Sequence, residues 1–376
     1  MSPLPVAFYA PLKSPHHSRP SGDRTMGRLL MAALARAGLA PRLASELRTY
    51  EPAGDPARQQ VLCAASAAEA ERLIAAFQAG PAAEKPRLWF TYHPYYKAPD
   101  WLGPIVATRL GIPYAVAEAS RADKRADGPW AEAHRAVESA LAQASLVLAL
   151  TPQDRDALER RRPSQQRIVD LPPFIDADAF GARPDRGPPS SPVRLLCVAM
   201  MRPGDKLRSY ALLAESLGLL PDTGWHLDIV GDGPARAEIE ALFAPFGAIV
   251  RFQGAIEDRL RLGRLYAGAD LLVWPAVNEA YGMVLLEAQA MGCPVLAGGF
   301  GGVASALQAG VTGEIARPGD ATAFAVSLWG LLADPDRRTA MSAAAIRFIR
   351  EERSLDSAAR ILRHALVSLF PELAAA

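Results

Sequence analysis

The sequence predicts an α/β protein of two doubly wound domains facing across a cleft, and three observations carry that expectation. Its 376 residues exceed one ordinary core and fall short of three. Half of them are hydrophobic, enough to fill two cores. Short apolar runs that end in Gly, Pro or polar loops alternate with helix-compatible segments, the pattern of parallel strands joined by crossover helices.

In the first half the expected strands are Pro5 to Tyr9, Gln60 to Ala64, Leu88 to Tyr92, Tyr114 to Glu118 and Leu146 to Leu150. The helix after the first strand, T-M-G-R-L-L-M-A-A-L-A-R-A-G, sets Leu29, Leu30, Ala33 and Leu34 on one face and stops at Gly38. The second half restarts with Arg194 to Met200 and continues with Trp225 to Gly231, Val250 to Gly254, Asp270 to Pro275 and Pro294 to Ala297. Between the halves, G-A-R-P-D-R-G-P-P-S-S-P is too rich in proline and polar residues for a core element. The expected plan is therefore a domain over 1–180, a linker over 181–192, a second domain over 193–360 and a final helix over 361–376.

Lys and Arg number 41 against 40 acids, a net charge of +1, so nothing global favours nucleic acid. Any charged ligand must be met locally. Cys63, Cys197 and Cys293 are far apart and in apolar company, which reads as buried thiols in a reducing compartment. The N-terminus lacks a basic region and a long apolar run, so the expected location is the cytoplasm.

Doubly wound sheets bind ligands beyond the carboxyl ends of their strands, so the chemistry is sought just after each strand. After Asp270 to Pro275 comes N-E-A-Y-G-M-V-L-L-E-A-Q-A-M-G, with Asn278, Glu279 and Ala280 as a loop and a helix starting near Gly282. A helix start offers unpaired N–H groups and a positive dipole end to a phosphate, and Gly282 allows close approach. Glu287 then projects about one turn (about 5.4 Å) further on, where a carboxylate can accept from a ribose diol. Among 19 Glu a pair spaced by eight arises by chance about once, so the spacing alone is weak.

An anion also needs cations, and M-M-R-P-G-D-K-L-R follows the first strand of the second half. Arg202 and Lys206 can both reach one diphosphate there, although a solvated helix start explains them equally well. V-G-D-G-P at Val230 to Pro234 reads as a structural turn, since no Lys or Ser/Thr follows it. The acidic pairs Asp176/Asp178 and Asp334/Asp336 have no further ligands nearby in sequence, so no metal is expected. In the first half, Ser21, Gly22 and Asp23 either cap the first helix or form a backbone nest at Gly22 toward the ligand. His93 ends the third strand, where a sugar hydroxyl or a structural partner would occupy it, and Glu118 and Ser120 share its rim.

The run from Asn278 to Val303, with G-V-T-G-E-I-A-R-P-G-D after it, resembles the signature of retaining glycosyltransferases of family four: an E-x7-E segment, an A-x-G-x-P-V strand, a paired-glycine loop and G-x-L-V-x-P-G-D. The likeness extends upstream through Y-A-G-A-D-L-L-V-W-P, F-Q-G, V-G-D-G-P and the basic pair, over most of residues 171–365. It implies the GT-B fold, two Rossmann-like doubly wound domains facing across a cleft, with the last helix crossing back to the first domain. It implies that Arg202 and Lys206 hold the diphosphate of a nucleotide sugar and that Glu287 holds its ribose. Glu279 and the backbone of Ala280, Tyr281, Gly282, Met283 and Val284 would meet the sugar and phosphate. Gly22 and His93 would lie on the opposite wall. Three departures stand out: an R-x3-K pair one residue shorter than usual, Ser21-Gly22-Asp23 where the family has Gly-Gly, and E-A-S where members often have histidine.

The implied activity is transfer of a sugar from a UDP- or GDP-sugar to a hydroxyl of a glycan or lipid-linked acceptor, with retention and without metal or other cofactor. The rivals are a nucleotide-sugar epimerase and a non-catalytic nucleotide-sugar sensor. Trp101, Leu102 and Trp130, with Lys97, Lys124 and Arg125, mark a candidate peripheral contact with the inner face of a membrane.

Overall fold

The structure, a computed structural model, describes residues 3–183, 190–221 and 224–375. Two compact units divide it, one running to Pro172 and resuming at Leu355, the other spanning Pro173–Ser354. Of the stretch read as a linker, residues 184–189 lie outside the described residues.

The first unit alternates β1 (Leu4–Tyr9), α1 (Gly22–Arg36), β2 (Leu39–Ser45), α2 (Pro56–Ala79), β3 (Leu88–Tyr92), α3 (Gly103–Leu110), β4 (Tyr114–Ala117), α4 (Ala131–Gln143), β5 (Leu146–Ala149), α5 (Pro152–Glu159) and β6 (Arg167–Asp170). Its six strands are all parallel, in the order β2-β1-β3-β4-β5-β6. The expected strand Gln60 to Ala64 is instead the second and third turns of α2. Asp55 caps that helix, accepting from the N–H groups of Ala57 at 2.9 Å and Arg58 at 3.2 Å, and Pro56 starts it. Leu62, Ser66, Ala70, Leu73 and Ile74 then recur at helical spacing on the buried face. The second strand is Leu39–Ser45, which tolerates Pro41 because β2 is an edge strand.

Buried Asp100 fixes the loop between β3 and α3. It accepts from the N–H groups of Leu102 and Gly103 and from the hydroxyls of Thr91 and Tyr114, at 2.5–2.9 Å. Burial raises its carboxyl, against those four bonds.

The second unit runs β7 (Val193–Val198), α6 (Asp205–Leu217), β8 (Trp225–Val230), α7 (Arg236–Phe243), β9 (Val250–Gly254), α8 (Arg259–Gly268), β10 (Leu271–Trp274), α9 (Met283–Ala290), β11 (Val295–Gly298), β12 (Gly313–Ala316), α10 (Ala321–Ala333) and α11 (Pro335–Glu352). Its sheet is again six parallel strands, β12-β11-β10-β7-β8-β9. The final helix, α12 (Leu355–Leu366), belongs to the first unit. It buries Leu355, Ala358, Ala359, Leu362, Ala365 and Leu366, pairs Asp356 with Arg36 at 2.6 Å, and donates from Arg363 Nε to the Ala37 carbonyl at the end of α1 at 3.2 Å.

Candidate active site

In the second unit, the loops after β7, β10 and β11 gather at the carboxyl ends of adjacent strands. The loop after β10 turns sharply, with Ala276 at φ 56° and Asn278 at φ 50°. It is held from both sides. On the α6 side, Val277 N–H donates to Ser209 Oγ at 2.9 Å and Asn278 Nδ2 donates to Asp205 Oδ1 at 3.0 Å. On the other side, Gly302 N–H donates to the Ala280 carbonyl at 2.7 Å, and a Cβ on Gly301 would lie 2.3 Å from the Glu279 carbonyl oxygen.

That clamped loop delivers Glu279 to Lys206, and the two form an ion pair. Glu279 Oε2 also accepts from Trp274 Nε1 at 3.3 Å, and Lys206 Nζ lies 5.2 Å from the Trp274 ring centre. Lys206, Glu279 and Trp274 thus form one polar group at the foot of α9. Gly282, at φ 73°, starts α9, so the N–H groups of Met283 and Val284 belong to its unpaired first turn. Tyr281 is buried ahead of them. Arg202 is exposed, and among the described residues its guanidinium has no ion-pair partner. Arg208 pairs with Asp205.

Glu287 lies on α9 itself and has a different partner, accepting from the Tyr266 hydroxyl at 2.8 Å. Burial raises its carboxyl, against the Tyr266 hydroxyl and the charge of Arg259. V-G-D-G-P is a structural turn, as its sequence suggests. A Cβ on Gly231 would lie 1.9 Å from the Ala199 carbonyl oxygen, and one on Gly233 2.3 Å from that of Met201, so both glycines make room for the loop after β7.

In the first unit, His93 and Glu118 end adjacent strands with left-handed backbone, φ 58° and 55°. His93 Nδ1 lies 3.1 Å from Asp23 Oδ1, in the first turn of α1, and 3.6 Å from Glu118 Oε1. Burial opposes charge on the imidazole, but Glu118, Asp23 and Asp154 outweigh it and raise its pKa from 6.5 to about 9. The ring is therefore an imidazolium at neutral pH, a donor and not a base. Asp154 is tied in turn to Ser120 Oγ at 3.1 Å and Thr151 Oγ1 at 2.7 Å. Of the two readings at Ser21 to Asp23, the cap is present: Ser21 Oγ accepts from Arg24 N–H at 3.2 Å. Gly22 stands in open space with nothing within 4 Å of a built Cβ, so no close approach requires a glycine there.

Of the residues read as a membrane edge, Lys124 is exposed and Trp101 and Trp130 are half-buried. Leu102 is fully buried, and Lys97 and Arg125 lie over the Trp130 and Tyr96 rings. No helix among the described residues is long and apolar enough to cross a membrane. Asp123, His134 and Glu138 bring potential metal-ligand atoms within 4.8 Å of one another, but Arg161 holds Asp123 at 3.1 Å and Arg121 pairs with Glu138.

Residues 192–334 match the family model described as glycosyl transferases group 1. The D-inositol 3-phosphate glycosyltransferase of Thermobispora bispora is 31% identical over 221 residues, 54% of this chain and 51% of that protein. The second unit carries a domain of the group 1 glycosyltransferases. A longer match, to the D-inositol 3-phosphate glycosyltransferase of Thermomonospora curvata, is 28% identical over 302 residues, 72% of this chain and 69% of that protein. The chain spans about half the length of the first curated relatives it matches. Among solved structures, sucrose-phosphate synthase from Thermosynechococcus elongatus superposes with a TM-score of 0.71 at 20% identity, covering 98% of this chain and 100% of that one. Anabaena HepE in complex with UDP does so with 0.71 at 16% identity, covering 97% and 100%. The fold is GT-B.

The sequence located Lys206, Glu279 and Glu287 by their positions after strands and on a helix start. It missed Trp274 and Tyr266, whose indole and phenol bond the two glutamates, because nothing local distinguishes them from core aromatics. Asp23 was read only as part of a cap, yet an acid in a first helical turn beside a strand-end histidine is a signal of this pairing.

Proposed function

We propose that this glycosyltransferase moves a sugar from a nucleoside diphosphate sugar to an acceptor hydroxyl with retention of configuration. The observation that carries the reading is the Lys206–Glu279–Trp274 group at the start of α9. The solved complexes of HepE with UDP and with UDP-glucose, on the same fold, support a uridine diphosphate donor.

The mechanism follows from charge. As the bond to the sugar breaks, the diphosphate gains negative charge, and groups already aimed at it lower the barrier without reorganising. Lys206 would exchange Glu279 for a phosphate oxygen, Arg202 would swing from solvent onto the same group, and the N–H groups of Met283 and Val284 would complete the cradle. Glu279, released on its Lys206 side and still steadied by Trp274, would turn to the sugar hydroxyls. Glu287 would accept from the ribose. With Glu279 turned to the sugar hydroxyls and Glu287 accepting from the ribose, neither is left to serve as a carboxylate nucleophile. Retention then points to attack from the leaving-group face, with the departing phosphate taking the acceptor proton. In the first unit, the His93 imidazolium would donate to a sugar or acceptor hydroxyl. The chain's likeness to D-inositol 3-phosphate glycosyltransferases and to a sulfoquinovosyl transferase favours a polyol or glycolipid acceptor.

The test is incubation with UDP- and GDP-sugars, with and without such acceptors, followed by NMR of the new anomeric bond. Nucleoside diphosphate release that depends on acceptor, with the donor's configuration kept, is the expected result. Lys206→Ala should lower kcat/KM by about 10²–10³. An isomerised donor, or binding without turnover, would overturn the proposal.

A further inference from the structure

The loops after β3 and β4 carry a second group of residues that the donor chemistry does not use. Tyr96 and Trp130 pack edge to face with ring centres 5.5 Å apart. Lys97 Nζ lies 5.8 Å and 5.5 Å from the Tyr96 and Trp130 ring centres, and Arg125 Cζ 5.3 Å and 4.8 Å. Two cations thus share one pair of rings. Aromatic faces attract each of them, but the cations repel one another, and among the described residues neither has a carboxylate partner. Arg125 Nε is buried with no hydrogen-bond partner at all. Two acids on the flanking segments are engaged elsewhere. Asp123 faces Arg161 at 3.1 Å, and Glu51 accepts from the N–H groups of Ala53, Gly54 and Asp55 at 2.5–3.0 Å.

The group is also rigid. Tyr96 and Lys97 occupy the tip of a tight turn closed by Tyr95 N–H to the Ala98 carbonyl at 3.2 Å and Ala98 N–H to the Tyr95 carbonyl at 2.8 Å. Glu51 N–H holds the Lys97 carbonyl at 2.8 Å. Trp130 Nε1 donates to the Glu51 carbonyl at 3.4 Å, and Gln59 Nε2 holds the Pro129 carbonyl at 2.8 Å. A chain of ring contacts, His93 to Tyr95 at 5.4 Å and Tyr95 to Tyr96 at 5.5 Å, joins this platform to the His93 cluster.

We propose that Lys97 and Arg125, seated on Tyr96 and Trp130, form a binding site for the phosphate of a sugar- or polyol-phosphate acceptor. The hydroxyls of that acceptor extend along the rings toward His93, Glu118 and Asp23. A phosphate between the two cations removes their repulsion and gives the buried Arg125 Nε an acceptor, bonds that a neutral ligand cannot make. The acidic end of the cluster accepts from hydroxyls and repels a second anion, so the polarity orients the ligand. Calling the ligand an acceptor rests on the glycosyltransferase reading; the anion site does not. The same phosphate chemistry occurs on a soluble sugar phosphate and on a phospholipid head group.

The experiment is titration of the whole chain by calorimetry with glucose 6-phosphate, with glucose as the uncharged control, and with phosphatidylglycerol vesicles against phosphatidylcholine vesicles. UDP binding is measured on the same samples as a check of the second unit. Saturable binding of glucose 6-phosphate but not glucose assigns a soluble source, and binding only of the anionic vesicles assigns a head group. Either should weaken on the order of tenfold in Lys97→Gln/Arg125→Gln and recover in Lys97→Arg/Arg125→Lys, which keeps the charge. Should the neutral double variant bind the phosphate probes as tightly as the parent, or the parent bind neither probe, the site is overturned. A parent that binds no UDP instead sinks the donor reading and leaves the anion result standing.

Discussion

His93 couples the ends of three elements, β3, β4 and α1, through one charge. Its pKa in the folded chain, about 9, exceeds the ordinary 6.5, so folding favours the protonated ring. That contribution is fully present below about pH 6.5 and is lost as pH rises through about 9. Asp23 behaves in the opposite sense: its lowered carboxyl contributes above the usual carboxylate range and loses that contribution as pH falls through its folded value. His93→Gln should therefore flatten the loss of stability between pH 7 and pH 9, by about 1–3 kcal/mol in urea titrations. A variant that keeps the parent's alkaline slope would show the charge to reside elsewhere. At this scale the sequence was most legible where a residue's position alone suggests chemistry, as with Lys206 after a strand and Glu279 in a loop. It was least legible where a role depends on a partner far along the chain, as with Trp130 over Glu51 or Tyr266 under Glu287.

Elements were legible where burial leaves a continuous apolar run, as in β3, β5 and β10, and misread where propensity and tertiary position disagree. V-L-C-A-A looks like a strand in isolation, but the Asp55 cap and Pro56 commit it to a helix. L-A-P-R-L-A-S looks like a loop because of Pro41, yet an edge strand has no need of that N–H. The short edge strands β6 and β12 bury little and leave a faint pattern. The loop carrying Glu279 illustrates how an element's precision is bought by glycine. Gly301→Ala should push its Cβ against the Glu279 carbonyl, shift the loop, and cost about 1–3 kcal/mol of stability. Donor affinity should fall with it, read as a higher KM for the sugar nucleotide. Unchanged stability and KM would mean that the loop yields freely.

At the scale of the whole chain, the two-domain rhythm was visible in sequence because each half repeats the same alternation of strand and helix. The point where the chain re-enters the first unit was not, since α12 follows α11 with only Arg353 and Ser354 between them. Yet the amphipathic face of α12 supplies a wall for α1, with Asp356 and Arg363 pinning its two ends. Deleting residues 355–376 should lower the melting temperature of the first unit by several degrees and speed amide exchange in α1, while exchange in α6 and α9 stays as in the parent. Equal protection of α1 in both chains would assign α12 a peripheral part.

That return has a consequence for how the molecule is made. A ribosome completes β1 to β6 early, but the helix that seals them emerges only after all of the second unit has been synthesised. The second unit can fold as soon as its own residues are out, whereas the first waits with the side of α1 that meets α12 uncovered. The half begun first is therefore the half finished last.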